Sequence, residues 1–331
     1  RAFERSRRQL LVSIAQDYFN LLEQASVIQN QQEQIKGLER LYESTAAKVN
    51  AGRLRPFQKD LASNQVLRAR ASLAGQRERY ILQLDRFKAR LGLDVGTPLE
   101  LKELELEIPM PSAGQADAAE AALRYRLDLQ DRRDRLDDRR RAIRNARNAL
   151  LPDLDIAGSL GIPTPTDDPT GALGLNAGDL DYSLGITLGL PLDREIERLT
   201  LRRRMIELEQ AQRDYDLFRD GVIVEARSAV RNVDLARFQL RLAEKQVEIN
   251  LNRLEDLSLR DDTDPQSVVD AERELNEARN ARDQAKTGLR TAVLNYLLST
   301  GQLRVTPEGE FQPLPISEPP SPVERDAPPM N

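Results

Sequence analysis

The carboxylates of aspartate and glutamate are the side chains of this protein that could do acid–base or metal chemistry. The chain has 54 acidic and 49 basic residues but no histidine and no cysteine. Imidazole metal sites, zinc sites, thiol nucleophiles and Ser-His-Asp triads are therefore excluded. The carboxylates are spread along charged helical stretches and do not converge on one point. We therefore expect no enzyme, no cofactor and no metal site.

Two short segments, 152–161 and 182–192, alternate between apolar residues and polar or small ones. The apolar face would carry Leu154, Ile156, Leu184, Ile186 and Leu188. The opposite face would carry Asp153, Asp155, Asp181, Ser183 and Thr187. A period of two over nine or so residues suits a membrane-crossing strand, since ~9 to 11 tilted residues span a bilayer core. It suits a half-buried strand of a soluble sheet equally well, so the strands alone leave both interpretations open.

The rest of the sequence has the composition of long helices. Charged residues make up 31% of the 331 residues and aromatic residues only 4%, which argues against two ordinary globular cores. There is no apolar run of about 18 residues, so no transmembrane helix is predicted. Apolar positions at alternating steps of three and four predict a helix over 5–49 and further helices over 57–91, 117–150, 193–259 and 266–299.

The predicted helix over 193–259 carries two apolar stripes. At ~1.5 Å per residue it would be roughly 100 Å long. Its first stripe includes Val222, Ala226, Ala229, Val233 and Ala236, and its second is formed by Leu235, Phe238, Leu242 and Ile249. A helix with two stripes needs two neighbours, so it is expected in a curved layer of helices.

The segment 124–148 is rich in arginine, which raises the question of nucleic-acid binding. Interleaved aspartates offset about half of its charge, and the whole chain has a net charge of -5. A solvated helix face is the better interpretation, and no nucleic-acid partner is predicted.

The segments 13–92 and 224–301 follow one plan, in which a long helix, a turn with proline and a return helix end at glycine. Pro56 matches Pro265, Asp60 matches Asp270 and Gly92 matches Gly301, at an offset near 210 residues. The second copy is preceded by a helix and a strand pair. We therefore expect the equivalent pieces of the first copy to lie before Arg1, which would make this chain N-terminally truncated.

The order and spacing of several stretches resemble the TolC-like outer-membrane efflux factor family. The stretches are VSIAQDYFNLLEQ, LRYRLDLQDRRDRLDDRRRAIRNARNALLPDLDIAGSLG, SLGITLGLPLD and QSVVDAERELNEARNARDQ. They cover nearly the whole chain to about Leu303. The acidic DDTD at 261–264 departs from the family, which usually has glycine at this tip.

The resemblance implies a mainly α protomer of a coiled-coil α-barrel with an inserted β-hairpin of an outer-membrane β-barrel. Three chains would form the channel, each giving four strands to a barrel of 12, with the helices in the periplasm. On this view the apolar strand face meets outer-membrane lipid and the polar face lines a watery lumen. The implied role is an exit duct of a tripartite efflux pump or type I secretion system, with a periplasmic adaptor as partner and an inner-membrane pump as indirect partner.

The family closes its periplasmic end with rings that follow the second tip, in a pattern of two Asp three residues apart. Asp270 matches the second position, but Ser267 stands at the first. Alternatively, Asp270 is a first-turn acid that the helix dipole favours. The two turns resemble the family's adaptor-docking tips, although exposed turns are often no more than turns. The implied docking residues are Gly52, Arg53, Leu54, Arg55, Asp262, Thr263 and Asp264.

Two other protein classes compete with a channel. A periplasmic adaptor would carry lipoyl-like and small β-barrel domains, for which 93–115 is too short, and a coiled-coil scaffold would not need alternating strands. The expected segments are a helical hairpin (1–92), an equatorial connector (93–115), an ascending helix (116–151), a transmembrane β-hairpin (152–192), the second-repeat helices (193–303), and a connector with a disordered proline-rich tail (304–331).

Overall fold

A computed structural model describes residues 1–102, 114–161, 181–189, 193–260, 264–306 and 311–314. Its elements, in chain order, are α1 (Ala2–Asn50), α2 (Pro56–Arg90), α3 (Gln115–Tyr125), α4 (Leu127–Asn148), β1 (Asp153–Gly161), β2 (Asp181–Gly189), α5 (Glu195–Leu259), α6 (Pro265–Ser299), β3 (Leu303–Val305) and β4 (Phe311–Pro313). Within the described ranges, no helix carries an apolar stretch long enough to cross a membrane. The chain divides into one unit of Arg1–Asp128 with Arg219–Asn331 and a second of Leu129–Phe218.

The first unit has its main apolar core where α1, α3, α5 and α6 meet strand β3. Fully or almost fully buried side chains form this core, among them Val12, Phe19, Val233, Leu294, Tyr296 and Leu303. A second cluster joins α1, α2 and α6 through Ile35, Leu38, Val66, Ala69 and Val269. Burial of a large apolar side chain is worth roughly 1.5 to 3 kcal/mol, so these clusters hold the helices together.

Much of the contact between α1 and α6 is polar. The amide nitrogen of Asn30 donates to Asn280 at 3.0 Å and to Asp283 at 2.9 Å. Further along, Asn276 donates to Gln34 at 3.2 Å, and Arg279 pairs with Glu33 at 2.7 Å. Because each buried polar group needs its own partner, these pairs favour one antiparallel register of α1 on α6.

The predicted internal repeat has a structural counterpart in the two return helices. Helices α2 and α6 are each 35 residues long, and each starts with proline. Gly92 and Gly301 follow them with φ of +74° and +70°. This left-handed backbone conformation, which glycine adopts without a Cβ clash, ends both helices in the same way.

The prediction of one uninterrupted helix over 117–150, the ascending helix of 116–151, is wrong because the helix is broken at Arg126. The structure has two helices there, because Arg126 adopts an extended conformation with φ of -70° and ψ of +120°. The Arg126 guanidinium donates to both oxygens of Asp128, at 3.0 and 2.7 Å, and also pairs with Glu225. Burial alone would lower the pKa of Arg126, but these partners raise it. The break thus places the charged guanidinium of Arg126 between the carboxylates of Asp128 and Glu225.

The connector with a disordered proline-rich tail that was expected over 304–331 also needs correction at its start. Residues Phe311–Pro313 form β4, which pairs antiparallel with β3, so that Leu303 lies opposite Pro313. Proline is compatible with a strand at an edge position. The remaining predicted tail, 315–331, lies outside the described residues, as do 103–113 of the predicted connector.

The second unit consists of α4 from Leu129, the strands β1 and β2, and α5 as far as Phe218. Leu136 and Ile143 of α4 are buried, as their seven-residue spacing predicts. Arg139 of α4 and two arginines of α5, Arg203 and Arg204, converge on Glu207. Their hydrogen bonds and charges, with Arg204 the largest contributor, lower the pKa of Glu207. This cluster joins α4 to α5 within the second unit.

Candidate membrane hairpin, tips and gate

Strands β1 and β2 form an antiparallel two-stranded sheet with one continuous register. Leu154 lies opposite Leu188, and Ile156 lies opposite Ile186. On the other face Asp155 lies opposite Thr187, and the hydroxyls of Ser159 and Ser183 are 2.8 Å apart. All ten strand residues singled out in the sequence therefore lie on the faces that the alternation predicts.

The apolar face of this sheet is uncovered. Its large side chains are 59 to 81% exposed, and they are Leu154, Ile156, Leu160, Tyr182, Leu184, Ile186 and Leu188. A water-soluble half-buried sheet would cover one face with a core, and no described residue does so here. The described residues also leave both outer edges of the sheet without a partner strand. Residues 190–192 of the second predicted strand segment lie outside the described ranges.

The turn between α1 and α2 is compact and exposed. The backbone N–H of Gly52 donates to Val49 and that of Arg53 donates to Lys48, both at 2.9 Å, which closes the end of α1. Arg55 is the N-cap residue of α2, and its backbone N–H donates to the Gln58 side chain at 3.3 Å. Leu54 is half-buried, whereas Gly52, Arg53 and Arg55 are exposed.

The second tip is only partly described, because Asp262 and Thr263 lie outside the described ranges. Asp264 holds the N-cap position before Pro265, but its side chain makes no capping hydrogen bond. Next to this tip a cavity of about 600 Å³ lies between the ends of α1, α5 and α6. Its apolar walls include Leu41, Leu254 and Val268.

Asp270 and Ser267 lie in the first two turns of α6, and both are half-buried. Asp270 pairs with Arg273 of the same helix at 3.3 Å and accepts from Gln266 at 3.4 Å. The backbone N–H of Ser267 donates to the Asp264 carbonyl at 3.0 Å. Both side-chain contacts of Asp270 are therefore with residues of its own helix.

Glu272, two residues further, is a functional candidate that the sequence analysis missed. It is 9% exposed, and its carboxylate lies against Gly37 of α1, where an added Cβ would come within 2.0 to 2.8 Å of it. Burial raises the pKa of Glu272, although the charges of Arg40 and Arg279 lower it. The sequence does contain a sign of this contact in Gly37, because a lone glycine inside a helix often has a packing reason, here the space that the Glu272 side chain occupies.

Replacing Glu272 with glutamine should stabilise the protein at neutral pH. A raised carboxyl pKa means that the folded state favours the protonated form, so this group's contribution is present below its unfolded pKa and lost as pH rises. The E272Q variant should therefore unfold at a higher temperature than wild type at neutral pH, and the difference should vanish toward pH 4.5, the ordinary carboxyl pKa. The exposed Glu277 provides the control, since E277Q should change little at either pH.

The fold is that of known outer-membrane channels. The chain matches the outer-membrane channel OprN with a TM-score of 0.73 at 18% identity, covering 90% of this chain and 67% of that one. It matches the Campylobacter jejuni CmeC outer membrane channel with a TM-score of 0.67 at 17% identity, covering 91% of this chain and 64% of that one. It matches the open state of the Neisseria gonorrhoeae MtrE outer membrane channel with a TM-score of 0.69 at 17% identity, covering 90% of this chain and 67% of that one.

These likenesses confirm the mainly α, TolC-like fold that the sequence predicts. The chain spans about two thirds of the length of these channels. At 16 to 18% identity the likeness concerns the fold alone. No protein-family model and no curated protein matches the sequence.

Proposed function

We propose that this chain belongs to an outer-membrane exit duct that conducts substrates from the periplasm to the exterior. The observation that carries the proposal is the uncovered apolar face of the β1–β2 sheet. Exposed apolar area of this kind is unfavourable in water and favourable against lipid tails. The strands would cross the outer membrane, and the helices would lie in the periplasm. The duct would serve a tripartite efflux pump or a type I secretion system.

Oligomerisation follows from the physics of strands in lipid, and the resemblance to three-chain channels makes the proposed assembly a homotrimer. An open sheet edge leaves backbone groups unsatisfied in a bilayer, so two or four strands of one chain cannot stand alone there. The second stripe of α5 supports the same conclusion, because Leu235, Phe238, Leu242 and Ile249 are all exposed in the single chain. Neighbouring copies would cover both surfaces.

The mass and symmetry of the full-length protein in detergent test this proposal. A threefold assembly that conducts ions in a planar bilayer is the expected result. A monomer, or a trimer without conductance, would contradict the proposed duct.

We further propose that Asp270 forms an acidic ring at the periplasmic end of the duct, with Ser267 in the adjoining position. Three copies would bring three carboxylates together, and their pairing with Arg273 would hold them in place. The D270A variant should therefore raise the leak conductance of the closed channel several-fold. The matched control is E277A, an exposed acid two turns further along α6 that pairs with the same arginine. Equal currents in D270A and wild type would leave Asp270 a first-turn acid of the helix.

The tips would dock a periplasmic adaptor that links the duct to an inner-membrane pump. The cavity beside the second tip has apolar walls, with Arg40 and Lys48 balanced by Glu255 and Glu272, which suits the apolar face of a partner helix. A photoreactive group at Leu54 or Asp264 should therefore capture the adaptor in cells. The same group at Arg77, exposed on α2 far from the turn, should not. Equal capture at all three positions, or none, would count against docking.

A further inference from the structure

The helix ends that flank the strand pair are strongly basic, in contrast to the acidic chain as a whole. The segments 139–150 and 193–204 contain ten arginines and three acidic residues, whereas the complete chain has a net charge of -5. One of the acids, Asp193, accepts the N–H of Glu195 at 3.0 Å and caps α5. Positive charge is therefore concentrated next to the proposed membrane segment.

Four of these arginines have no partner in the described part of the chain. Arg144 and Arg147 on α4, and Arg198 and Arg202 on α5, are exposed, and their side chains form no ion pair or hydrogen bond with a described residue. Their neighbours behave differently, because Arg139, Arg203 and Arg204 share Glu207, and others pair within their own helix. We refer to the four unpaired residues as the arginine collar.

The arginine collar lies on the two helix ends that adjoin the strands. The guanidinium of Arg194 donates to the carbonyl of Leu150 at 2.6 Å, so the end of α4 and the start of α5 are side by side. Arg147 and Arg144 are three and six residues before Leu150, and Arg198 and Arg202 are four and eight after Arg194. At ~1.5 Å per residue, all four lie within about 12 Å of that contact.

By this rise Arg147 and Arg198 lie at the depth of the headgroup layer of a bilayer, whereas Arg144 and Arg202 lie about one helical turn further from the strands. The strands are nine residues long, which suits the hydrocarbon core, and the headgroup region adds roughly 5 to 8 Å on each side. Guanidinium groups bind phosphate with paired hydrogen bonds, and basic residues beside a membrane segment attract anionic lipid. The long arginine side chain can also extend toward the phosphate level from several positions on a helix.

We propose that the arginine collar binds the phosphates of anionic phospholipids at the surface of the membrane that the hairpin crosses. This inference rests on the proposed insertion of the hairpin into the outer membrane. It assigns the collar a different partner from the strands, which meet lipid tails. The bound headgroups would fix the depth at which the duct sits.

The test uses full-length protein in vesicles and measures the association of spin-labelled phosphatidylglycerol relative to spin-labelled phosphatidylcholine at the protein surface. Wild type should prefer phosphatidylglycerol by roughly fivefold or more, because one arginine near the surface is already worth about that factor. The quadruple variant R144Q/R147Q/R198Q/R202Q should lose the preference. The control R68Q/R77Q/R79Q/R86Q removes four exposed, unpaired arginines from α2 and should retain it.

A nitroxide at position 184 in the same vesicles distinguishes failure of the lipid-binding proposal from failure of the proposed membrane insertion of the hairpin. If that label is in contact with lipid but wild type has no preference, or the quadruple variant keeps it, the lipid site is wrong and the hairpin assignment stands. If the label is in water, both are wrong. If the quadruple variant instead falls apart into monomers, the collar binds another copy of the chain and the lipid proposal is overturned.

Discussion

Substituting alanine for Gly301 should destabilise the protein by about 2 to 5 kcal/mol. Gly301 has φ of +70°, and a Cβ there would lie 2.8 Å from the carbonyl carbon of Tyr125 and 2.9 Å from the nitrogen of Arg126. Both contacts are with backbone, which cannot rotate away. Thr300 and Gln302 on either side are fully buried and hydrogen-bonded to each other, so this end of α6 cannot shift either.

Gly92 is the matched control, since it ends the equivalent helix of the first repeat with φ of +74° and open space around it. The G92A variant should lose only about 1 to 2 kcal/mol of stability, the cost of a left-handed backbone at a residue with a Cβ. Urea unfolding at one protein concentration compares the two variants through their midpoints. Equal losses would mean that the close approach of Gly301 to the break at Arg126 does not matter for stability.

Placing lysine at Ile156 should prevent assembly in a membrane. Ile156 lies next to the centre of β1 on the apolar face, directly opposite Ile186. A lysine on the lipid face near the bilayer midplane costs about 2 to 4 kcal/mol, and a homotrimer would bear this cost three times. The expected result is a large loss of trimer after refolding into lipid vesicles.

Thr187 provides the comparison, because it lies on the opposite face of the same sheet, across from Asp155. The T187K variant should assemble and change only the ion selectivity of the channel, since a lumen-facing charge remains in water. Normal assembly of I156K, or equal failure of both variants, would contradict the assignment of the two faces.

The strand faces and most helix ends were predictable because each follows from a local rule. A period of two fixes which residues of β1 and β2 share a face, whatever covers that face. Similarly, Gly52 and Pro56 mark the first turn, and α1 ends at Asn50 and α2 begins at Pro56 as their positions predict. The seven-residue spacing also identified the buried side of α4 at Leu136 and Ile143.

The break at Arg126 and the polar contact of α1 with α6 depend on partners far away in the sequence. Arg126 is extended where its charge meets Asp128 and Glu225, and 99 residues separate it from the latter. The steps of three and four that predict α1 pass through Leu21 and Ile35, which are buried, but bypass Phe19 and Asn30, which are also buried. A buried amide has no apolar signal, so periodicity could not find it.

The most direct test of the channel account is the environment of paired positions on the two faces of the hairpin in reconstituted full-length protein. Nitroxides at 156 and 186 should be reached by a lipid-soluble relaxing agent and missed by a water-soluble one. Labels at 155 and 183, on the opposite face of the same sheet, should give the opposite result. If the lipid-soluble agent reached 155 or 183 and missed 156 or 186, this hairpin would not be the membrane segment of an outer-membrane channel in the way proposed.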